Sequence, residues 1–199
     1  ATNLLHKKTI MTLILAISKP NISGTLINLR PILKEDAQSM LDGTFDEEGM
    51  RLTGTKGTFT LERTEKWCAG LLDAENRVDY AITLKDNPTY IGEVVLNNIK
   101  TEERSANFRI ALNSSKDFNK GYGSEATFLM LKHGFETLKL HRIELGVYDF
   151  NPRAQHVYEK IGFVKEGVCR DVLLWDGKYQ SSISMSMLEE EWFAKYKKG

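Results

Sequence analysis

Two stretches of the 199-residue chain hold residue types that could do chemistry. The first runs Asp117-Phe118-Asn119-Lys120-Gly121-Tyr122-Gly123-Ser124-Glu125-Ala126. A polar run, 113–117, precedes it, and Ala126, Leu129, Met130 and His133 follow on one helical face. This pattern predicts a loop that opens a helix. Gly121 and Gly123 reach backbone angles closed to other residues, and they carry no Cβ to obstruct a ligand. The first amides of a helix have no internal partner and sit at its positive end, which suits a phosphate or pyrophosphate. Lys120 adds a mobile positive charge at the rim. The second stretch is Asn151-Pro152-Arg153-Ala154-Gln155-His156-Val157-Tyr158-Glu159-Lys160-Ile161-Gly162-Phe163. Its tyrosine has a proton to give at neutral pH, and its asparagine can cap a helix or bind a ligand amide.

On spacing alone, three readings of the first stretch stay open. It can be an ordinary glycine-containing helix cap. It can be a dinucleotide fingerprint, since Gly121, Gly123 and Ala126 fit G-x-G-x-x-A and Glu144 lies about twenty residues on. That fingerprint needs an apolar strand running into the first glycine, whereas 116–120 is mostly polar. The third reading is a pyrophosphate loop for an acyl-coenzyme A.

The first stretch resembles the coenzyme A loop of the GNAT superfamily of N-acetyltransferases, Gln/Arg-x-x-Gly-x-Gly/Ala, except that Phe118 stands where Gln or Arg is usual. The second resembles the same family's N-x-x-A-x-x-x-Y-E-K-x-G-F. The likeness extends over roughly 24–192. Within the superfamily it points to the branch of ribosomal-protein N-terminal acetyltransferases and spermidine N-acetyltransferases, with Trp175-Asp176-Gly177-Lys178-Tyr179 similar to both groups' final hairpin. The resemblance implies acetyl-CoA as co-substrate and a mixed α/β fold, a mostly antiparallel sheet with two splayed parallel strands, flanked by helices. It places the pyrophosphate on the amides of Lys120, Gly121, Tyr122, Gly123, Ser124 and Glu125. It places the pantetheine arm along Ile110, Ala111 and Leu112, with Asn151 and Ala154 on the other side.

Moving an acetyl group from a thioester to an amine needs a neutral amine, a steadied oxyanion and a proton for the leaving thiolate. An alkylamine with pKa near 10.4 is neutral in only roughly one molecule in 2,500 at pH 7, so a base or a water path to one helps. Tyr158 is the expected proton donor, as the family's tyrosine. Tyr on an amphipathic helix can also be simple core, and Asn151 can be simple capping. Related N-terminal acetyltransferases place a glutamate near the start of the third meander strand, where this chain has Asn107. Glu93 is therefore the catalytic-base candidate, against its reading as a solvated strand residue, and a water chain without a dedicated base stays open. His133 reads as a core histidine, and His141 lies far from the motifs. Cys68 and Cys169 have no neighbouring His motif, so direct attack by the amine is expected rather than a covalent enzyme intermediate. A module that binds acyl-CoA without turnover is the alternative, and Asn107 is the feature that favours it.

The elements that must position these residues follow in order. A strand spans 24–30 and a helix starts at Lys34. The stretch 42–60, with four glycines and several threonines, reads as long and irregular, and 61–72 as a helix. By the resemblance this region covers the acceptor side. Asp46, Glu47 and Glu48 there would suit a cationic acceptor, or be merely solvated. Strands at 80–84, 90–97 and 106–112 make a meander. A helix over 123–138, a strand over 141–148, a helix over 152–160, a hairpin over 163–187 and a terminal helix complete the chain.

Charge is balanced, 27 basic against 27 acidic residues, so neither nucleic acid nor an anionic membrane is indicated as a partner. The expected partner is a small amine or a protein N-terminus. The two cysteines are expected to be buried, and without Cys/His clusters no metal is assigned. Residues 1–23 read as an extension, either an extra β-strand or a mobile segment, ahead of one domain over 24–199. The apolar run 10–17 is too short to span a membrane. A cytoplasmic monomer or homodimer is expected.

Overall fold

The computed structural model describes residues 17–196. The expectation for residues 1–16 lies outside that range. The chain enters through the short strand β1 (Ile22–Ser23) and β2 (Ile27–Pro31). A 3-10 turn (Lys34–Asp36) leads into helix α1 (Ala37–Gly43), followed by α2 (Glu47–Thr53) and α3 (Leu61–Gly70). The meander is β3 (Val78–Leu84), β4 (Asn87–Lys100) and β5 (Ser105–Leu112). Helix α4 (Tyr122–Lys132) runs into a π-turn (His133–Thr137). Then come β6 (Arg142–Tyr148), α5 (Pro152–Ile161), β7 (Val164–Trp175), β8 (Lys178–Leu188) and α6 (Glu189–Tyr196).

The strands form one sheet in the order β1-β2-β3-β4-β5-β6-β8-β7. All neighbours are antiparallel except β5 and β6, which run parallel. This is the expected mixed α/β arrangement. Side chains alternate across each strand. Val78, Tyr80 and Ile82 of β3 join Val94 and Leu96 of β4 and Phe108 of β5 in the main core. The intervening positions face a smaller cluster that includes Ala81, Tyr90, Cys68 and Ala37, beneath α1 and α3. The sheet therefore separates two faces, with α4 and α5 on one and α1 to α3 on the other.

The stretch 42–60 is not irregular throughout, because α2 lies inside it. Asp46 nucleates that helix by accepting from the Gly49 N–H at 2.8 Å, and Gly54 ends it at φ 64°. The same carboxylate also accepts from the Ser115 N–H and Oγ, both at 2.9 Å, which fixes α2 against the loop after β5. The predicted strand 24–30 is shorter, since residues 24–26 turn between β1 and β2. The stretch just before β1 is anchored by Lys19, whose Nζ donates to the carbonyls of Leu71, Leu72 and Ala74.

Candidate active site

The parallel pairing of β5 and β6 covers only Ser105–Asn107 against Arg142–Glu144. Beyond Asn107 the strands part. One edge of β5 over 108–112 is left without a strand partner, and such backbone groups need one. A cleft of about 1060 Å³ passes through the gap, and Ile110, Ala111 and Leu112 line it.

The glycine loop stands at one mouth. It is preceded by a 3-10 turn (Ser115–Asp117), not a strand, so the dinucleotide arrangement is not built. Asn119 and Gly121 both take left-handed backbone angles, φ 62° and 85°. Helix α4 begins at once, leaving the amides of Tyr122, Gly123 and Ser124 in its unbonded first turn. A Cβ built on Gly123 would meet only Ile110 Cδ1, at 4.0 Å, so the space in front of it is open to the cleft.

Three residues expected at this loop sit differently. The Glu125 N–H donates to the Gly121 carbonyl at 3.0 Å, so that amide is already committed. The Glu125 carboxylate turns away and accepts from the N–H groups of Thr25, Leu26 and Ile27 at 2.7, 2.8 and 2.9 Å. Lys120 pairs with Asp117 at 3.0 Å and lies over the Tyr122 ring, and neither Lys120 nor Tyr122 is part of the cleft wall. Sequence reasoning missed the pairing of Phe118 with Arg153, whose guanidinium lies 4.0 Å from the ring centroid. Both residues line the cleft. The departure of Phe118 from the family pattern was visible in the sequence, but its partner was not.

Tyr158 lies on α5, held between Phe108 and Phe163 in edge-on ring contacts with centroids 6.0 and 5.7 Å apart. It is buried and lines the cleft, and burial pushes its phenol up to about 12. The hydroxyl therefore keeps its proton at neutral pH. Asn151 caps α5, its Oδ1 accepting from the Ala154 N–H at 3.1 Å. Capping uses only the oxygen, and the Asn151 side chain also faces the cleft, as does Ala154.

Glu93 sits in the wall behind the cleft, on the face toward α1 and α3, and does not line it. Its Oε2 is buried without a hydrogen-bond partner. Burial raises its pKa, while the nearby Arg109 guanidinium pulls it down in part. Asn107 does line the cleft. His133 is buried, with Nε2 2.9 Å from the Ser18 carbonyl, and desolvation lowers its pKa. His141 faces Glu189 at 3.2 Å, away from the cleft. Cys68 is buried and its thiol is pushed up to about 11. Cys169, expected to be buried, is exposed because β7 is an edge strand, and it lines the cleft. Among the described residues, no three His, Cys, Asp or Glu side chains gather as a metal site, and no helix is long and apolar enough to cross a membrane.

Residues 27–164 match the family described as Acetyltransferase (GNAT) domain. The chain is 28% identical over 173 residues to the uncharacterized N-acetyltransferase YnaD of Bacillus subtilis, covering 86% of this chain and 99% of that protein. It is 35% identical over 102 residues to the spermidine N(1)-acetyltransferase of Vibrio cholerae, an alignment that spans only 51% of this chain and 58% of that protein. A GNAT-family acetyltransferase of Bacillus anthracis superposes with TM-score 0.74 at 27% identity, covering 86% and 100% of the two chains. The spermidine N-acetyltransferase of Vibrio cholerae, solved with CoA and spermine, superposes with TM-score 0.77 over 85% and 99%, at 24% identity, and so supports the fold.

Proposed function

The chain belongs to the GNAT acetyltransferase family, and on that premise we propose that it transfers an acetyl group from acetyl-CoA to a primary amine by direct attack. The observation that carries this reading is Tyr158, a buried phenol that keeps its proton and faces the gap where β5 and β6 part. Acetyl-CoA supplies the activated thioester. The residues fit it, since the open space before Gly123, the first-turn amides of Gly123 and Ser124 and the unpaired edge of β5 line one cleft.

Each group has a task that the geometry supports. The loop amides hold the pyrophosphate, and Arg153 adds a charge beside them. Ile110, Ala111 and Leu112 offer backbone partners to the pantetheine amides, and Asn151 offers its remaining donor. Tyr158 gives a proton to the departing thiolate. Glu93, with its raised pKa, receives the amine's proton through water, because its carboxyl lies behind the cleft wall. Neither cysteine carries the acyl group: the Cys68 thiol is buried and weakly acidic, and Cys169 has no histidine partner among the described residues. Relatives named spermidine N(1)-acetyltransferase support an amine acceptor. The protein works as a monomer or homodimer, with the exposed β7 edge the surface open to pairing.

One feature favours a binding module without turnover: Asn107 puts no carboxylate at the cleft where a base is usual. A thiol-release assay with acetyl-CoA and a panel of amines separates the two. Amine-dependent release above background supports transfer. Thermal stabilisation by acetyl-CoA with no release by any amine supports the module. Stabilisation by NAD but not acetyl-CoA would sink both.

A further inference from the structure

The two faces of the sheet divide the cleft. Phe108 and Ile110 point toward α4 and α5, where Ile110 meets Gly123 and Phe108 meets Tyr158. By alternation, Asn107 and Arg109 point to the opposite face, where Leu52 and Thr53 of α2 close the cleft. Arg109 stands two residues past Asn107, the last β5 residue paired to β6, so it sits where the gap begins. Arg109 lines the cleft and is exposed. Among the described residues it has no hydrogen bond, ion pair or ring contact, and its charge acts only at a distance, on the buried Glu93 carboxyl. Several other arginines are paired, Arg30 with Asp36, Arg51 with Glu48, Arg77 with Asp79, and Arg142 with Glu144 and Glu166, whereas Arg63 and Arg170, outside the cleft wall, form no ion pair among the described residues.

The carboxylate that lines this half of the cleft is spoken for. Glu144, on the facing wall, is gripped by Arg142 at 3.1 and 2.8 Å. Asp46 caps α2 and holds Ser115, and Glu48 holds Arg51. Glu93, diagonal to Arg109 across β4 and β5, makes no ion pair with it and stays behind the wall. Small or neutral polar residues that also line the cleft include Asn97, Asn107, Gly146, Ser182 and Ser184. An exposed planar guanidinium without a salt bridge is suited to a carboxylate, which it can hold with two parallel hydrogen bonds.

We infer that Arg109 binds a carboxylate of the acceptor, so that the acceptor is an amino acid or short peptide carrying a carboxylate near its amine, not a polyamine. This rests on the acetyltransferase reading of the site and narrows it. A polycation would bring positive charge to Arg109, while Glu144, the carboxylate that lines this half of the cleft, is already held by Arg142.

Initial rates of thiol release from acetyl-CoA test this with amino acids, the same amino acids as C-terminal amides, acidic dipeptides, spermidine and a simple alkylamine. The carboxylate-bearing acceptors should exceed both the amides and spermidine by at least tenfold in kcat/KM. Amides have less basic amines, so amine ionisation alone would favour them. In Arg109→Gln that advantage should collapse to about parity, chiefly through KM, with the acetyl-CoA Kd within about threefold of wild type. Arg109→Lys should recover part of it. Preference for spermidine or for the amides overturns the inference, as does an advantage unchanged in Arg109→Gln or no turnover of any carboxylate-bearing member. In each of those cases, retained acetyl-CoA binding and transfer to another amine leave the acetyltransferase reading standing. Failure to bind acetyl-CoA removes that reading too.

Discussion

The Arg153 guanidinium lies 4.0 Å over the Phe118 ring, joining the glycine loop to the first turn of α5 across the mouth of the cleft. Phe118 occupies the position where related loops carry Gln or Arg, and the stacked Arg153 returns a positive charge to that place. The ring holds the guanidinium without neutralising it. Arg153→Ala is expected to raise the acetyl-CoA Kd by about three- to tenfold, with the effect shrinking at high salt. Phe118→Leu should give a smaller loss in the same direction. Isothermal titration at two salt concentrations checks both.

Gly123→Val puts a branched side chain into space that the wild-type fold leaves open, with Ile110 Cδ1 at 4.0 Å as the one near neighbour. The fold should survive while the approach to the loop amides is blocked. The acetyl-CoA Kd is expected to rise at least tenfold, or about 1.4 kcal/mol. Unchanged affinity in a folded variant would take the loop out of the coenzyme site.

Glu125 accepts three backbone N–H groups from the turn between β1 and β2. Hydrogen bonds to a charged group contribute about 1.5–3 kcal/mol each, and less where solvent reaches them. Glu125→Ala should therefore lower stability by about 1–3 kcal/mol while leaving coenzyme affinity within a few-fold. Urea unfolding beside a binding titration distinguishes this tether from a ligand contact.

Burial holds the Glu93 carboxyl above its ordinary value of 4.5. The folded protein then binds that proton more tightly than the unfolded chain. Folding is penalised above the folded pKa, and the penalty fades as pH falls toward the unfolded value. Glu93→Gln is expected to raise the melting temperature at pH 8 and to match wild type near pH 4. Acetyl transfer at neutral pH should fall, a cost to function from a gain in stability. A melting difference that grows on acidification would contradict this.

The loop and the tyrosine motif were legible because their chemistry is local: two glycines before a helix, and a cap, a proline and a phenol within one short helix. The splayed strands came with the resemblance, and the limited β5–β6 register agrees. Helix α2 was hidden because its seven residues contain Gly49 and little apolar periodicity, and its stability comes from Asp46 bonding to Gly49 and to distant Ser115. The stack of Phe118 on Arg153, the tether of Glu125 and the lack of an ion pair at Arg109 are long-range facts. They depend on which partners the fold brings near, and no local pattern encodes them. Cys169 was misread because burial of a cysteine depends on whether its strand is central or at the edge.

The most direct test of the central claim is the steady-state and coenzyme-binding comparison of Tyr158→Phe with wild type. The change removes one hydroxyl and keeps the ring packed against Phe108 and Phe163. If the phenol protonates the thiolate, the acetyl-CoA Kd should hold within a few-fold while kcat falls about 10²-fold, the scale of a lost general acid. Wild-type turnover would make the hydroxyl a bystander. Loss of folding or of coenzyme binding would make Tyr158 a packing residue and contradict the mechanism.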